Sequence, residues 1–152
     1  MKKWILLALL AGLLMFSPFT SADVTKLKPV EVIRLSGTTR GIRVETDTGE
    51  SGEGTDLRQA FEDLKQTASG EIFLETADRL LVTPQTVELL PELTYFLRPG
   101  CNICVEIGNS ELSDVGAFLR IHEPGVTLQD HIAGEAALPV LCVEDGRMYL
   151  ID

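Results

Sequence analysis

Three cysteines and two histidines are the residues of this 152-residue chain whose types could carry chemistry. Cys101 and Cys104 are separated by two residues, the spacing of a redox dithiol, and Cys142 follows downstream. A redox site of that kind sets the pair after a strand and at a helix start, where the helix dipole lowers the thiol pKa. Here the surroundings run the other way: a helical pattern precedes Cys101, and Cys-Val-Glu-Ile-Gly over 104–108 reads as a strand. Residues three positions apart in a strand point to opposite faces, with Cα atoms about 10 Å apart. A disulfide needs less than about 7 Å. Partly buried structural cysteines are therefore the plainer reading. A bridge from Cys142 to Cys101 or Cys104, and an exchanging Cys101/Cys104 dithiol, stay open beside it. A zinc site from Cys101, Cys104, Cys142 and His122 needs a tight knuckle, which Asn102-Ile103 in a strand does not make.

The other chemistry is thinner. His122 sits beside Glu123 at a helix end, where it favours the helix dipole, and His131 follows Asp130 in a short helix. The serines fall in loops or caps, with no Gly-x-Ser-x-Gly elbow. Gly49-Glu50-Ser51-Gly52-Glu53-Gly54-Thr55 precedes a helix, but it lacks the lysine of a phosphate loop, and Glu50 and Glu53 repel phosphate. Calcium is a further use of that loop, without the ligand spacing that would argue for it. No catalytic residue, no metal and no cofactor is expected.

The elements that must position these residues follow from periodicity. Val30–Leu35 and Ile42–Asp47 predict a hairpin across a turn at Gly37–Gly41, the second strand alternating apolar and charged. Residues 48–54 predict a polar, flexible loop, and Thr55 a helix cap with Asp56 in the first turn. Leu57, Ala60, Phe61, Leu64 and Ala68 make one helical stripe. Glu71–Leu74 and Leu80–Val82 read as central strand segments, or as one kinked strand. A helical pattern from Thr83 to Leu97 must break near Pro91. Cys101–Ile107 is a strand, Ser110 caps the helix of Leu112, Val115, Phe118 and Leu119, and Thr127 with Asp130 forms a capping box. Asp145-Gly146 between two apolar runs predicts a closing hairpin. The order β-β-α-β-α-β-α-α-β-β predicts an α/β fold, a mixed sheet with helices packed on it.

Met1-Lys2-Lys3, an apolar run from Trp4 to Phe16 and then Ser17-Pro18-Phe19-Thr20-Ser21-Ala22 have the layout of a secretory signal. Cleavage is expected after Ala22, residues 23–29 then serving as a tether and 30–152 as one domain. An uncleaved anchor is the alternative, with membrane contact only through residues 4–19. No cysteine follows the run that a lipid could modify; the first is Cys101. Without residues 1–22 the balance is 11 basic against 23 acidic, a net charge of −12 in place of −10. Lys and Arg contacts dominate nucleic-acid affinity, so a nucleic-acid role is excluded.

The middle of the chain resembles the N-terminal domain of the spore-germination receptor C subunit, the Ger(x)C-like family. Gly52-Glu53-Gly54-Thr55-Asp56-Leu57-Arg58-Gln59-Ala60 is similar to that family's Gly-x-Gly-x-Thr helix start. Gly70–Leu74 with Leu80–Thr83, Leu89–Arg98, Cys101–Gly108 and Leu112–Leu119 resemble its succeeding strands and helices, so the likeness spans about residues 30–121. The family's members resemble lipoproteins and carry further domains, which this chain does not match. The resemblance implies the fold and an extracytoplasmic, sporulation-linked setting, not assembly of a receptor, and it transfers no catalytic residue. Taken with the signal layout and the missing active site, it leads to an envelope or membrane protein as the expected partner. The expected function is thus an exported, non-enzymatic, protein-binding module. An exported thiol–disulfide protein using Cys101 and Cys104 is the alternative.

Overall fold

Alternation of side chains decides the sheet. The computed structural model describes residues 27–151; the expected signal segment 1–22 and residues 23–26 lie outside them. Strands β1 (Leu27–Pro29), β2 (Val32–Thr38), β3 (Gly41–Thr46) and β4 (Ser51–Gly54) come first, then helix α1 (Leu57–Thr67). Strands β5 (Glu71–Phe73) and β6 (Arg79–Val82) follow, and a 3₁₀ stretch Pro84–Leu89 runs into α2 (Leu90–Leu93). Then come β7 (Asn102–Ile107), α3 (Leu112–Ile121), α4 (Leu128–Ile132), β8 (Val140–Glu144) and β9 (Arg147–Ile151). Seven strands form one sheet in the order β4-β3-β2-β6-β7-β8-β9. Its centre, β2-β6-β7-β8, pairs in parallel; the β2–β3, β3–β4 and β8–β9 pairs are antiparallel. The chain has the expected α/β fold with a mixed sheet.

The sheet separates two cores. On one face, Ile33, Leu35, Val44, Leu80, Val82 and Ile103 pack against α1, α2 and Leu128 of α4. On the other, Val32, Leu81, Cys104 and Leu141 pack against Leu112, Val115 and Leu119 of α3. A parallel central strand buried on both sides carries apolar residues at successive positions, and all four residues of β6 are buried. Helix α1 turns Leu57, Ala60, Phe61 and Leu64 inward. Burying each large one contributes about 1.5–3 kcal/mol.

Four local expectations are corrected. Leu27–Pro29, read as tether, is β1, paired in parallel with β5 in a separate two-stranded sheet. Leu80–Val82 alone lies at the centre of the main sheet, so Glu71–Leu74 is not a central strand segment. Part of the expected loop 48–54 is the edge strand β4, because α1 lies on it backbone to backbone. A Cβ on Gly52 would stand 2.3 Å from the Ala60 carbonyl oxygen, so only glycine admits this approach. The helix caps shift too. Asp56, not Thr55, accepts from the Gln59 amide at 2.9 Å, and Glu111 occupies the N-cap expected of Ser110. The Thr127–Asp130 capping box and the break before Pro91 form as expected.

Candidate functional site

The cysteines do not converge. Cys101 packs in one core and Cys104 in the other, both fully buried, as expected from opposite faces of a strand. Burial pushes each thiol up to about 12. A thiolate, the species that attacks a disulfide, is therefore scarce at either position. Cys142 is half-buried on β8 and aligns with Ile107, three residues past Cys104. That offset is about 10 Å along the strand, and Cys142 shares a face with Val140, not with Cys104. All three cysteines are free, so the bridges left open above do not form. The His122 ring lies against Phe118, with centroids 4.5 Å apart and planes tilted by 31°. No group of three or more metal-ligating side chains occurs among the described residues.

The expected ligand loop is stitched shut. The Glu50 carboxylate takes Lys28 and Ser69, and the Lys28 ammonium holds its pKa below the usual value. Glu53 pairs with Arg43 at 3.3 Å. Beside this loop lies a cleft of about 220 Å³ lined by Arg34, Arg43, Glu45, Glu50 and Glu111. Its deepest cation is already committed. Arg34 donates to both Glu106 carboxylate oxygens at 2.7 and 2.8 Å and to the Ser110 carbonyl at 2.7 Å. Glu106 is only 2 % exposed and also accepts from Ser110 Oγ. The pair ties β2 to β7 across β6 and offers no open charge to a ligand. A second knot lies at the far end of α3. Glu31 accepts from Arg79 at 2.6 Å and from Arg120 at 2.9 Å, and the Arg120 contact lowers its pKa.

What remains uncommitted is the β7–β9 end of the sheet, on the face that carries α1. Among the described residues no helix covers it there: Ile107, Tyr149 and Ile151 are 51, 40 and 51 % exposed, with Cys142 between them. Tyr149 stands opposite Cys142, and Ile151 opposite Val140. Glu144, facing Arg147 across the hairpin, raises the Tyr149 pKa, so the ring is neutral at ordinary pH. The hairpin itself is set by Asp145 and Gly146, both at positive φ, 48° and 73°. A second aromatic patch, Tyr95 beside Phe73, lies over Phe96, which stacks on Phe61 at 4.5 Å.

Of the residues singled out in the sequence, only Cys142 belongs to the open face. Ile107, Tyr149 and Ile151 were read as ordinary strand residues. The one available signal was the Asp145-Gly146 hairpin, whose second strand must be paired on one side at least. No helix among the described residues is long and apolar enough to cross a membrane. In comparisons with protein-family models, curated proteins and solved structures, none matches this chain.

Proposed function

We propose that this chain is an exported, non-enzymatic domain that acts at the cell or spore envelope by binding a protein partner, in a sporulation- or germination-linked role. The observation that carries the binding part is the uncovered apolar face at Ile107, Tyr149 and Ile151, bordered by the edge strand β9. Contiguous exposed apolar surface beside unpaired strand backbone is the usual site of strand-addition recognition. Two buried or half-buried charge pairs support the same reading, because Arg34 is committed to Glu106 and the Arg79 Nη1 to Glu31. The germination setting rests on the resemblance over residues 30–121, and export rests on the pattern of residues 1–22.

The test is a photo-crosslinking amino acid placed at Tyr149 in a spore-forming host that carries the gene, with Arg58 on exposed α1 as the control position. A single dominant protein adduct at position 149, absent at 58, together with a weakened germinant response on gene deletion, is the expected result. Adducts equal at both positions would remove the binding surface. An unchanged germinant response would remove the germination link.

A further inference from the structure

The two edges of the main sheet are built differently. At β4, α1 supplies side chains to the outward backbone: Asp63 accepts from the Glu53 amide at 2.9 Å, and Thr67 donates to the Ser51 carbonyl at 3.2 Å. That edge is closed from within the chain. At β9 the two-residue turn makes Glu144 and Arg147 a hydrogen-bonded pair, and the alternation of an antiparallel ladder repeats it at Cys142/Tyr149 and Val140/Ile151. The N–H and C=O groups of Met148 and Leu150 therefore point away from β8. No bond to them occurs among the described residues. Proteins commonly blunt such an edge with Lys, Pro, a bulge or an inward charge. Strand β9, Arg-Met-Tyr-Leu-Ile, has none of these, and its one charge, Arg147, already faces Glu144 of its own hairpin.

We infer that β9 pairs antiparallel with β9 of a second copy of this chain about a two-fold axis through Tyr149, joining two seven-stranded sheets into one. This rests on the β7–β9 face being a protein-binding surface, and it names the partner. The register follows from geometry. Met148 of one copy opposite Leu150 of the other, and the reverse, satisfies all eight outward groups with four hydrogen bonds. Faces are preserved, because the paired positions share parity. Tyr149 then meets Tyr149 as a non-hydrogen-bonded pair, with Cα atoms about 4.5 Å apart and rings in contact on the uncovered face. Charge argues for the same seam. The chain carries a net charge of −10, so two copies repel over most of their surfaces, whereas Met148–Ile151 brings four neutral residues together. An isologous contact of this kind closes on itself and leaves the pair with no further β9 edge. Five residues of edge bury less than the roughly 1,600 Å² of a standard interface, so the dimer is reversible and concentration-dependent.

The experiment uses the full chain with Cys142→Ser, which prevents Tyr149→Cys from bridging to its own β8. Under mild oxidation Tyr149→Cys should form a covalent dimer on a non-reducing gel, since about 4.5 Å lies within disulfide reach. Arg147→Cys, whose opposite number is Ile151, should not. In sedimentation without cross-linking, Leu150→Pro removes one outward N–H per copy and leaves the β8–β9 ladder intact. Its dissociation constant should rise at least about tenfold, with the melting temperature measured alongside to show that the fold is retained. Raising ionic strength from about 0.01 to about 1 M, which shortens the screening length from about 30 to about 3 Å, should tighten the dimer. A monomer at every concentration, or equal cross-linking at 147 and 149, would overturn the two-fold pairing. If that result came with a single foreign adduct at Tyr149 in cells, the binding surface would stand and only its partner would change.

Discussion

Arg34 and Glu106 show how much a side chain's role depends on its neighbours. Both occupy strand positions that alternate with apolar residues, and both look like the wet side of a half-exposed strand. The second core closes over them, so they become a bidentate pair with Glu106 nearly dry. Breaking one partner of such a pair typically costs about 3–5 kcal/mol, because the other charge stays buried and uncompensated. Arg34→Met should lower stability by about that much in urea titration, whereas Arg34→Met with Glu106→Leu should recover most of the loss. Equal instability of the single and double variants would contradict the account. The cysteines illustrate the converse. Their placement on opposite faces was legible from strand geometry alone, because a period of two is intrinsic to the extended backbone. Their burial was expected only in part; the full enclosure that makes Cys101 and Cys104 inert comes from the two cores closing on either side of the sheet.

At the scale of elements, α1 and β4 form a close backbone-to-backbone junction. Gly52 and Gly54 lie under Ala60, Leu64 and Gln59, with no room for a side chain. Gly52→Ala should destabilise the domain by at least the roughly 1–3 kcal/mol typical of overpacking, read as a lower urea midpoint at unchanged slope. Gly49→Ala, where nothing lies within 4 Å but φ is +84°, should cost less, about 1 kcal/mol from the left-handed backbone alone. Equal losses at the two positions would mean that the close approach is not what demands glycine. The helix α1 itself was legible, since its stripe at spacings of three and four needs no tertiary information. Strand β4 was not. Ser-Gly-Glu-Gly has low strand propensity, and only the helix lying on it and the pairing with β3 make it extended.

For the whole molecule, acid is the condition that tests the stabilised surface carboxylates together. Glu31, Glu50 and Asp130 all have pKa values lowered in the fold, by Arg120, Lys28 and Thr127 respectively. The unfolded chain therefore binds more protons than the folded one around and below the ordinary carboxylate range. Stability is full above that range and is lost as the pH falls through the folded values. The urea midpoint should fall as pH drops from about 6 to about 3, and Glu31→Gln should flatten that fall. An unchanged slope in the variant would remove Glu31 as a contributor. The sequence by itself determined the α/β class, α1, the stripe of α3, the Asp145-Gly146 hairpin and the Thr127 capping box, because each depends on local period, caps or turn conformation. Only the tertiary structure decided the strand order, the separate pairing of β1 with β5, the burial of Arg34 with Glu106 and the contrast between the closed β4 edge and the open β9 edge. Those depend on which distant segments meet. A short, mostly apolar strand reads the same whether it lies at the centre of a sheet or at its rim, and only the pairing of distant strands puts β9 at the rim of this one.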